Sequence, residues 1–187
     1  MPVVAAPTVL HLGCGRVGRQ IPEAADGRVV TLDADPRLDP DIVCTLGENV
    51  LPLESNSIDH AVAHHVLEHI GRPCETRSWF FFWEELYRVL RPGGTLRFES
   101  PLYSSVWAWA DPGHVRALSP QSFAFLKQDS YRIPGSPITP YRVRCDFAPC
   151  APYERLVDPT LVQYEEFSHF RGTLVAIKPL RPWWEDA

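Results

Sequence analysis

The chain lacks an apolar run that could cross a bilayer. Its densest patch, Trp79-Phe80-Phe81-Phe82-Trp83, is five residues long, against the roughly 20 that a spanning helix needs. The first residues, Met1-Pro2-Val3-Val4-Ala5-Ala6, lack the basic start of a signal peptide. Together these absences predict a cytoplasmic protein with no membrane partner. An excess of basic charge is also missing. The formal net charge is −5, with 9 basic and 15 acidic residues through Asp111 and 9 basic and 8 acidic after it. Neither part offers the basic patch that nucleic acid requires, so nucleic acid is set aside as a partner. Paired cysteines are absent too. Cys14, Cys44, Cys74, Cys145 and Cys150 are odd in number and none stands in C-x-x-C spacing. That fits a reducing compartment better than a disulfide framework or a zinc ribbon. There is no internal repeat and no low-complexity tract.

What remains is ordinary for one globular domain: 187 residues, 45% hydrophobic and 22% charged. Thr8 to Leu12 reads as an apolar strand running into Gly13-Cys14-Gly15-Arg16-Val17-Gly18, a glycine turn with G-x-G-x-x-G spacing. A short helix follows, interrupted by Pro22 and ended by Gly27. Arg28–Leu32 is a second strand ending at Asp33. Asp41–Cys44 is a third and Ile58–Ala63 a fourth, opening onto His64-His65. From Thr76 to Leu90 the spacing of Trp79, Phe82, Trp83, Leu86 and Leu90 predicts a buried helix. Arg91-Pro92-Gly93-Gly94 stops it, and Thr95–Glu99 is a fifth strand. An aromatic loop from Ser100 to Pro120 leads to a short helix through Phe123, Phe125 and Leu126. Tyr141–Phe147 and Gly172–Lys178 are late strands. Strands alternating with crossovers imply an α/β fold, a mostly parallel sheet with an antiparallel addition at one edge. Ligands of such sheets bind beyond the carboxyl ends of the strands.

Two cofactors compete for the glycine turn. A dinucleotide needs a helix N-terminus for its pyrophosphate and a carboxylate for its ribose. Asp33, 20 residues after Gly13, supplies the carboxylate. Pro22 leaves only a stub of helix. S-adenosylmethionine carries an adenosine and a sulfonium but no phosphate, so it needs the close backbone and the carboxylate without the long helix. The sequence fits it better than NAD.

Five motifs in order then carry a resemblance: Leu10-His11-Leu12-Gly13-Cys14-Gly15, Leu32-Asp33, Leu51-Pro52-Leu53-Glu54-Ser55-Asn56-Ser57-Ile58-Asp59, His65-Val66-Leu67-Glu68-His69-Ile70 and Leu90-Arg91-Pro92-Gly93-Gly94-Thr95-Leu96. The chain resembles a class I S-adenosylmethionine-dependent methyltransferase of the small, single-domain, type 11-like group. The resemblance implies a Rossmann-like three-layer sandwich over one domain, residues 1–187. Residues 9–126 would hold the cofactor core and substrate loop, and 127–187 the late strands and tail. It implies S-adenosyl-L-methionine as cofactor and S-adenosyl-L-homocysteine as product. Gly13, Cys14 and Gly15 would line the methionine end, Asp33 the ribose hydroxyls and Ala34 the adenine. Thr45 stands where the family often has an acid near the adenine amine. His64 and His65 would pass close to the cofactor. His11 also replaces a frequent acid.

Other residues admit two readings. His65-Val66-Leu67-Glu68-His69 matches H-x-x-E-H, an inverted zinc-protease motif. Zinc chemistry would need the run on a helix and a third ligand, so no metal is expected. His114 in Asp111-Pro112-Gly113-His114 is the first candidate for a general base, with Asp111 orienting it, and His64 is the second. Alternatively Asp111 stabilises a turn that His114 buttresses. Tyr103, Trp107 and Trp109 either stack on an organic substrate or form the core of a lid. Phe80 and Phe81 are a candidate homodimer surface. The predicted function is O- or N-methylation of a small-molecule or sugar-like acceptor. The alternatives are a non-catalytic cofactor-binding or interaction protein and an NAD-dependent oxidoreductase.

Overall fold

The computed structural model describes residues 6–18, 20–21, 27–157 and 168–185. The short helix expected around Pro22 lies outside them. Five strands are parallel: β1 (Thr8–Leu12), β2 (Arg28–Asp33), β3 (Ile42–Val43), β4 (Ile58–His64) and β5 (Leu90–Pro101). Three more, β6 (Phe147–Pro149), β7 (Glu154–Leu156) and β8 (His169–Ala176), add an antiparallel edge. The sheet order is β3-β2-β1-β4-β5-β8-β6, with β7 pairing β8 beside β6. Chain order reverses between β1 and β4. Loops leaving two such neighbours part to either side and open a crevice at their carboxyl ends.

Alternation along the strands sorts the side chains onto two faces. Leu10, Leu12, Leu32, Ala61, Ala63, Leu96, Phe98, Phe170 and Leu174 face the main core. Against them packs α1 (Arg77–Val89), with Trp79, Phe82, Trp83 and Leu86 buried at helical spacing. Trp83 is fully buried and meets Trp79, Phe82, Phe123 and Phe147 edge to face at 5.0–5.8 Å. The opposite face carries a smaller cluster of Val9, Val62 and Val29, on which Ile21 sits. The mixed, mostly parallel sheet was thus expected. Of the two helical layers, the described residues contain one long helix, on the main face.

Several boundaries differ from expectation for local reasons. The Pro92-Gly93-Gly94 stop lies within β5, not before it. Ile58 pairs Leu90 and His60 pairs Thr95, so the extra residues of β5 loop out as a bulge with Gly93 at φ +75°. Tyr141–Phe147 is irregular apart from Phe147 itself, and the pairing partner of β8 is displaced to β6 and β7. Gly172 on β8 accommodates Tyr153, whose ring would lie 2.5 Å from a Cβ there. Phe80 is packed within the chain, 4.9 Å from Tyr141 and 5.5 Å from Phe125, and both Phe80 and Phe81 of the suggested dimer surface are half-buried.

Candidate cofactor and acceptor cavities

The turn after β1 is closed by its own sequence. Gly13, Gly15 and Gly18 all take positive φ, at +56°, +51° and +58°. The Cys14 N–H donates to the Leu32 carbonyl at 3.0 Å, and the Gly15 N–H donates to Asp33 Oδ2 at 2.9 Å. Cys14 and Gly15 were expected to meet the cofactor through their backbone. Their N–H groups are instead committed to β2. His11 gains an explanation here. It is buried, and its Nδ1 lies 2.6 Å from the Gly18 carbonyl. A carbonyl only accepts, so Nδ1 carries the proton and ties the far end of the turn to β1. An ionised acid at this position could not make that bond.

Asp33 joins the two loops of the crevice. Oδ2 takes the Gly15 N–H and Oδ1 takes the Asp35 N–H at 3.0 Å. A carboxylate offers about four acceptor positions, so both oxygens keep lone pairs for further donors. Below lies a cavity of about 280 Å³ lined by Gly13, Asp33, Ala34, Thr45, His65 and Val66 among others. Five of the eight residues expected at the cofactor are therefore at this cavity. Cys14 and Gly15 build its turn, and His64 packs its ring edge on to His11 at 6.3 Å. Sequence reasoning missed Leu32, Cys44, Leu46, Val66, His69 and Ile70, which complete the wall. The signal for the last three was present in the run His65 to Ile70, since loops after β1 and β4 must meet once the strands are neighbours.

A second cavity of about 550 Å³ opens beside the first and shares His65 and His69 with it. Trp107, Asp111 and His114 line it, together with Pro101, Ala110, Pro112 and His169. Tyr103 and Trp109, expected to stack on substrate, are exposed on the outer side of the loop. The Trp109 indole N–H donates to the Tyr103 carbonyl at 2.9 Å. Asp111 does not orient the His114 ring: its Oδ1 accepts the Gly113 N–H at 2.7 Å, the aspartate-stabilised turn. The Ala108 carbonyl, 3.3 Å from His114 Nδ1, holds the ring instead.

Between the cavities His65 sits at φ +54°, an uncommon conformation for a residue with a side chain. Its Nδ1 is 3.4 Å from Glu68 Oε1 and its Nε2 3.7 Å from Glu99 Oε1. The Glu68 carboxylate, then that of Glu99, pushes the imidazole up to about 9 against its partial burial. In turn His65, and then Arg171 at 2.7 Å, hold Glu99 down at about 2. The site therefore carries a cationic imidazole flanked by carboxylates at neutral pH. The H-x-x-E-H run is not α-helical, since Leu67–His69 is a single 3-10 turn. Sequence reasoning also missed that the loop after β5 brings His114 back to Glu68 and His69.

A family profile described as a methyltransferase domain matches residues 10–98. A 37.1 kDa protein of transposon TN4556 from Streptomyces fradiae is 32% identical over 115 residues, covering 53% of this chain and 31% of the relative. The chain thus spans about a third of that curated relative's length. Among solved structures, a chain of the Haloferax volcanii complex between the Trm112 methyltransferase activator and a methyltransferase superposes with TM-score 0.65 at 16% identity, over 97% of this chain and 86% of that one. The N-methyltransferase NodS from Bradyrhizobium japonicum, solved with S-adenosyl-L-homocysteine, gives 0.60 at 15% identity over 92% and 79%. An S-adenosylmethionine-dependent methyltransferase from Archaeoglobus fulgidus gives 0.58 at 15% over 92% and 86%. These likenesses show the fold, and the profile places the domain on it. No helix of the described residues is long and apolar enough to cross a membrane. The chain thus matches a methyltransferase domain over residues 10–98, on a fold that it shares with S-adenosylmethionine-dependent methyltransferases.

Proposed function

We propose that this protein methylates an oxygen or nitrogen of a small-molecule or sugar-like acceptor, in the cytoplasm and without a nucleic-acid or membrane partner. The observation that carries the reading is Asp33. Its carboxylate is fixed by two backbone N–H groups at the lip of the cavity and keeps lone pairs for two ribose hydroxyls. Gly13, Ala34 and Thr45 would border the rest of the nucleoside. When bound, S-adenosylmethionine supplies a methyl group on a positively charged sulfur, and that charge disappears as the methyl leaves. The protein's part is to place the acceptor in line and exclude water. A second cavity that shares His65 and His69 with the first suits that placement. Trp107 gives it an apolar wall, and its volume suits a small molecule. Where the acceptor is a hydroxyl, His114 is placed to take its proton. Its Nδ1 donates to Ala108, which leaves Nε2 as the accepting nitrogen.

The test is calorimetric. Asp33→Ala is expected to weaken S-adenosylhomocysteine binding at least tenfold, with Asp33→Asn intermediate. Equal affinity in wild type and Asp33→Ala would remove the cofactor assignment. Binding of NAD in preference to S-adenosylhomocysteine would return the oxidoreductase reading. Cofactor binding with no methylation of any acceptor would return the non-catalytic one.

A further inference from the structure

We propose that Glu68, His69 and His114 bind a divalent first-row metal ion, of which zinc is the type, between the two cavities. Their ligand atoms lie within 4.8 Å of one another. Glu68 is 2% exposed. Its Oε2 accepts the Ser100 hydroxyl at 3.0 Å, while Oε1 accepts no hydrogen bond among the described residues. The His65 imidazole stands 3.4 Å from this oxygen without making a hydrogen bond to it, so a buried carboxylate oxygen keeps its lone pairs for a closer cation. The backbone around it is firmly placed, because the Val115 and Arg116 N–H groups both donate to the Glu68 carbonyl.

The histidines are set in the ligand tautomer. Nδ1 of His69 lies 3.0 Å from the Gly113 carbonyl, and Nδ1 of His114 lies 3.3 Å from the Ala108 carbonyl. Carbonyls only accept, so each Nδ1 bears the proton and each Nε2 presents a bare lone pair. Metal-bound histidines are held in this way, with the other ring N–H on a carbonyl or carboxylate. The rings meet edge to face at 4.6 Å, and His114 Nε2 is 4.0 Å from Glu68 Oε1. An ion at ~2.0–2.2 Å from each ligand needs these atoms closer, and His69, which is exposed, has room to rotate inward. His65, with Nδ1 3.4 Å from Glu68 Oε1, is the ion's rival for that oxygen.

Two imidazoles and one carboxylate form a donor set that zinc accepts while keeping an open position. Two of the three ligands, His69 and His114, line the larger cavity with His65, Trp107, Asp111 and His169, so an open position would face it. That the open position takes the methyl acceptor rests on the methyl-transfer reading; the metal site itself does not. With the ion bound, the His114 lone pair is engaged. An acceptor hydroxyl on the ion would then lose its proton to water, with no oxidation or reduction.

The experiment is titration of the chelator-stripped full chain with zinc chloride by calorimetry, and with Co²⁺ by visible absorption. One ion per chain is expected, with ligand-field bands for Co²⁺. Glu68→Gln and His114→Ala should each weaken binding at least tenfold while S-adenosylhomocysteine binding persists, since neither residue lines the cofactor cavity. If His114→Ala fails to fold, the near-isosteric Glu68→Gln decides. Cys74→Ser with Cys150→Ser, at the two exposed thiols, should bind as wild type. Asp33→Ala should keep the ion and lose the cofactor product. No binding, binding unchanged in Glu68→Gln, or binding abolished by the double cysteine variant would overturn the site. Wild-type protein that takes zinc but not S-adenosylhomocysteine would overturn the cofactor reading and leave the metal site standing.

Discussion

At the scale of single residues, glycines near the crevice serve unequal purposes. A Cβ on Gly13 would lie 2.5 Å from Val66 Cγ2, and its φ is +56°. A Cβ on Gly15 would meet nothing within 4 Å, although its φ is +51°. Gly13 is therefore needed for loop-to-loop contact as well as for the turn. Gly13→Ala is expected to destabilise by roughly 2–4 kcal/mol, combining backbone strain with overpacking. Gly15→Ala should lose about 1 kcal/mol from strain alone. Urea midpoints at fixed slope distinguish the two, and equal losses would contradict the packing argument. The G-x-G-x-x-G pattern was legible in the sequence, but this inequality was not. It depends on Val66, 53 residues further on, being carried next to Gly13 by the pairing of β1 with β4. The same holds for His114. Its type and its loop position could be read, yet its neighbours Glu68 and His69 come from another crossover.

At the scale of elements, α1 is tied to the turn before β4 by a charged network. The Arg88 guanidinium meets Glu85 at 2.7 Å and donates to the Leu51 and Leu53 carbonyls, while Glu85 Oε2 accepts the Leu51 N–H at 2.9 Å. Arg88, and then the Leu51 N–H, hold the Glu85 carboxyl below its ordinary 4.5, against the effect of burial. A group depressed on folding stabilises above its unfolded pKa and loses that contribution as pH falls through the folded value. Acidification below about 4.5 should therefore loosen this corner. Glu85→Gln should lower stability by about 1–3 kcal/mol near neutral pH, with a smaller difference from wild type in acid. A constant difference across pH would contradict the ionic account. Strands β1, β2 and β4 and helix α1 were legible because their apolar periodicity is local. The antiparallel edge was legible in β8 but not in the strands that flank it. β6 and β7 have three residues each, too few for a pattern, and they exist as strands because β8 offers hydrogen bonds to both.

At the scale of the whole molecule, one topological fact generates the site. Reversal of chain order between β1 and β4 parts their loops. Asp33 then stands on one side of the crevice, with His65 and the Glu68–His69 turn on the other. Strand β5, next in order, delivers the His114 loop to the same edge, so the two cavities adjoin through His65 and His69. The class of fold and the kind of ligand followed from motif order along the chain. The meeting of the two cavities did not, because it is set by which strands are neighbours. The direct test is a crystal structure with S-adenosylhomocysteine. The account predicts the ribose hydroxyls on the Asp33 carboxylate, the adenine beside Ala34 and Thr45, and the sulfur directed past His65 toward the cavity of His114 and Trp107. A ligand seated away from Asp33, or a sulfur turned away from that cavity, would contradict it.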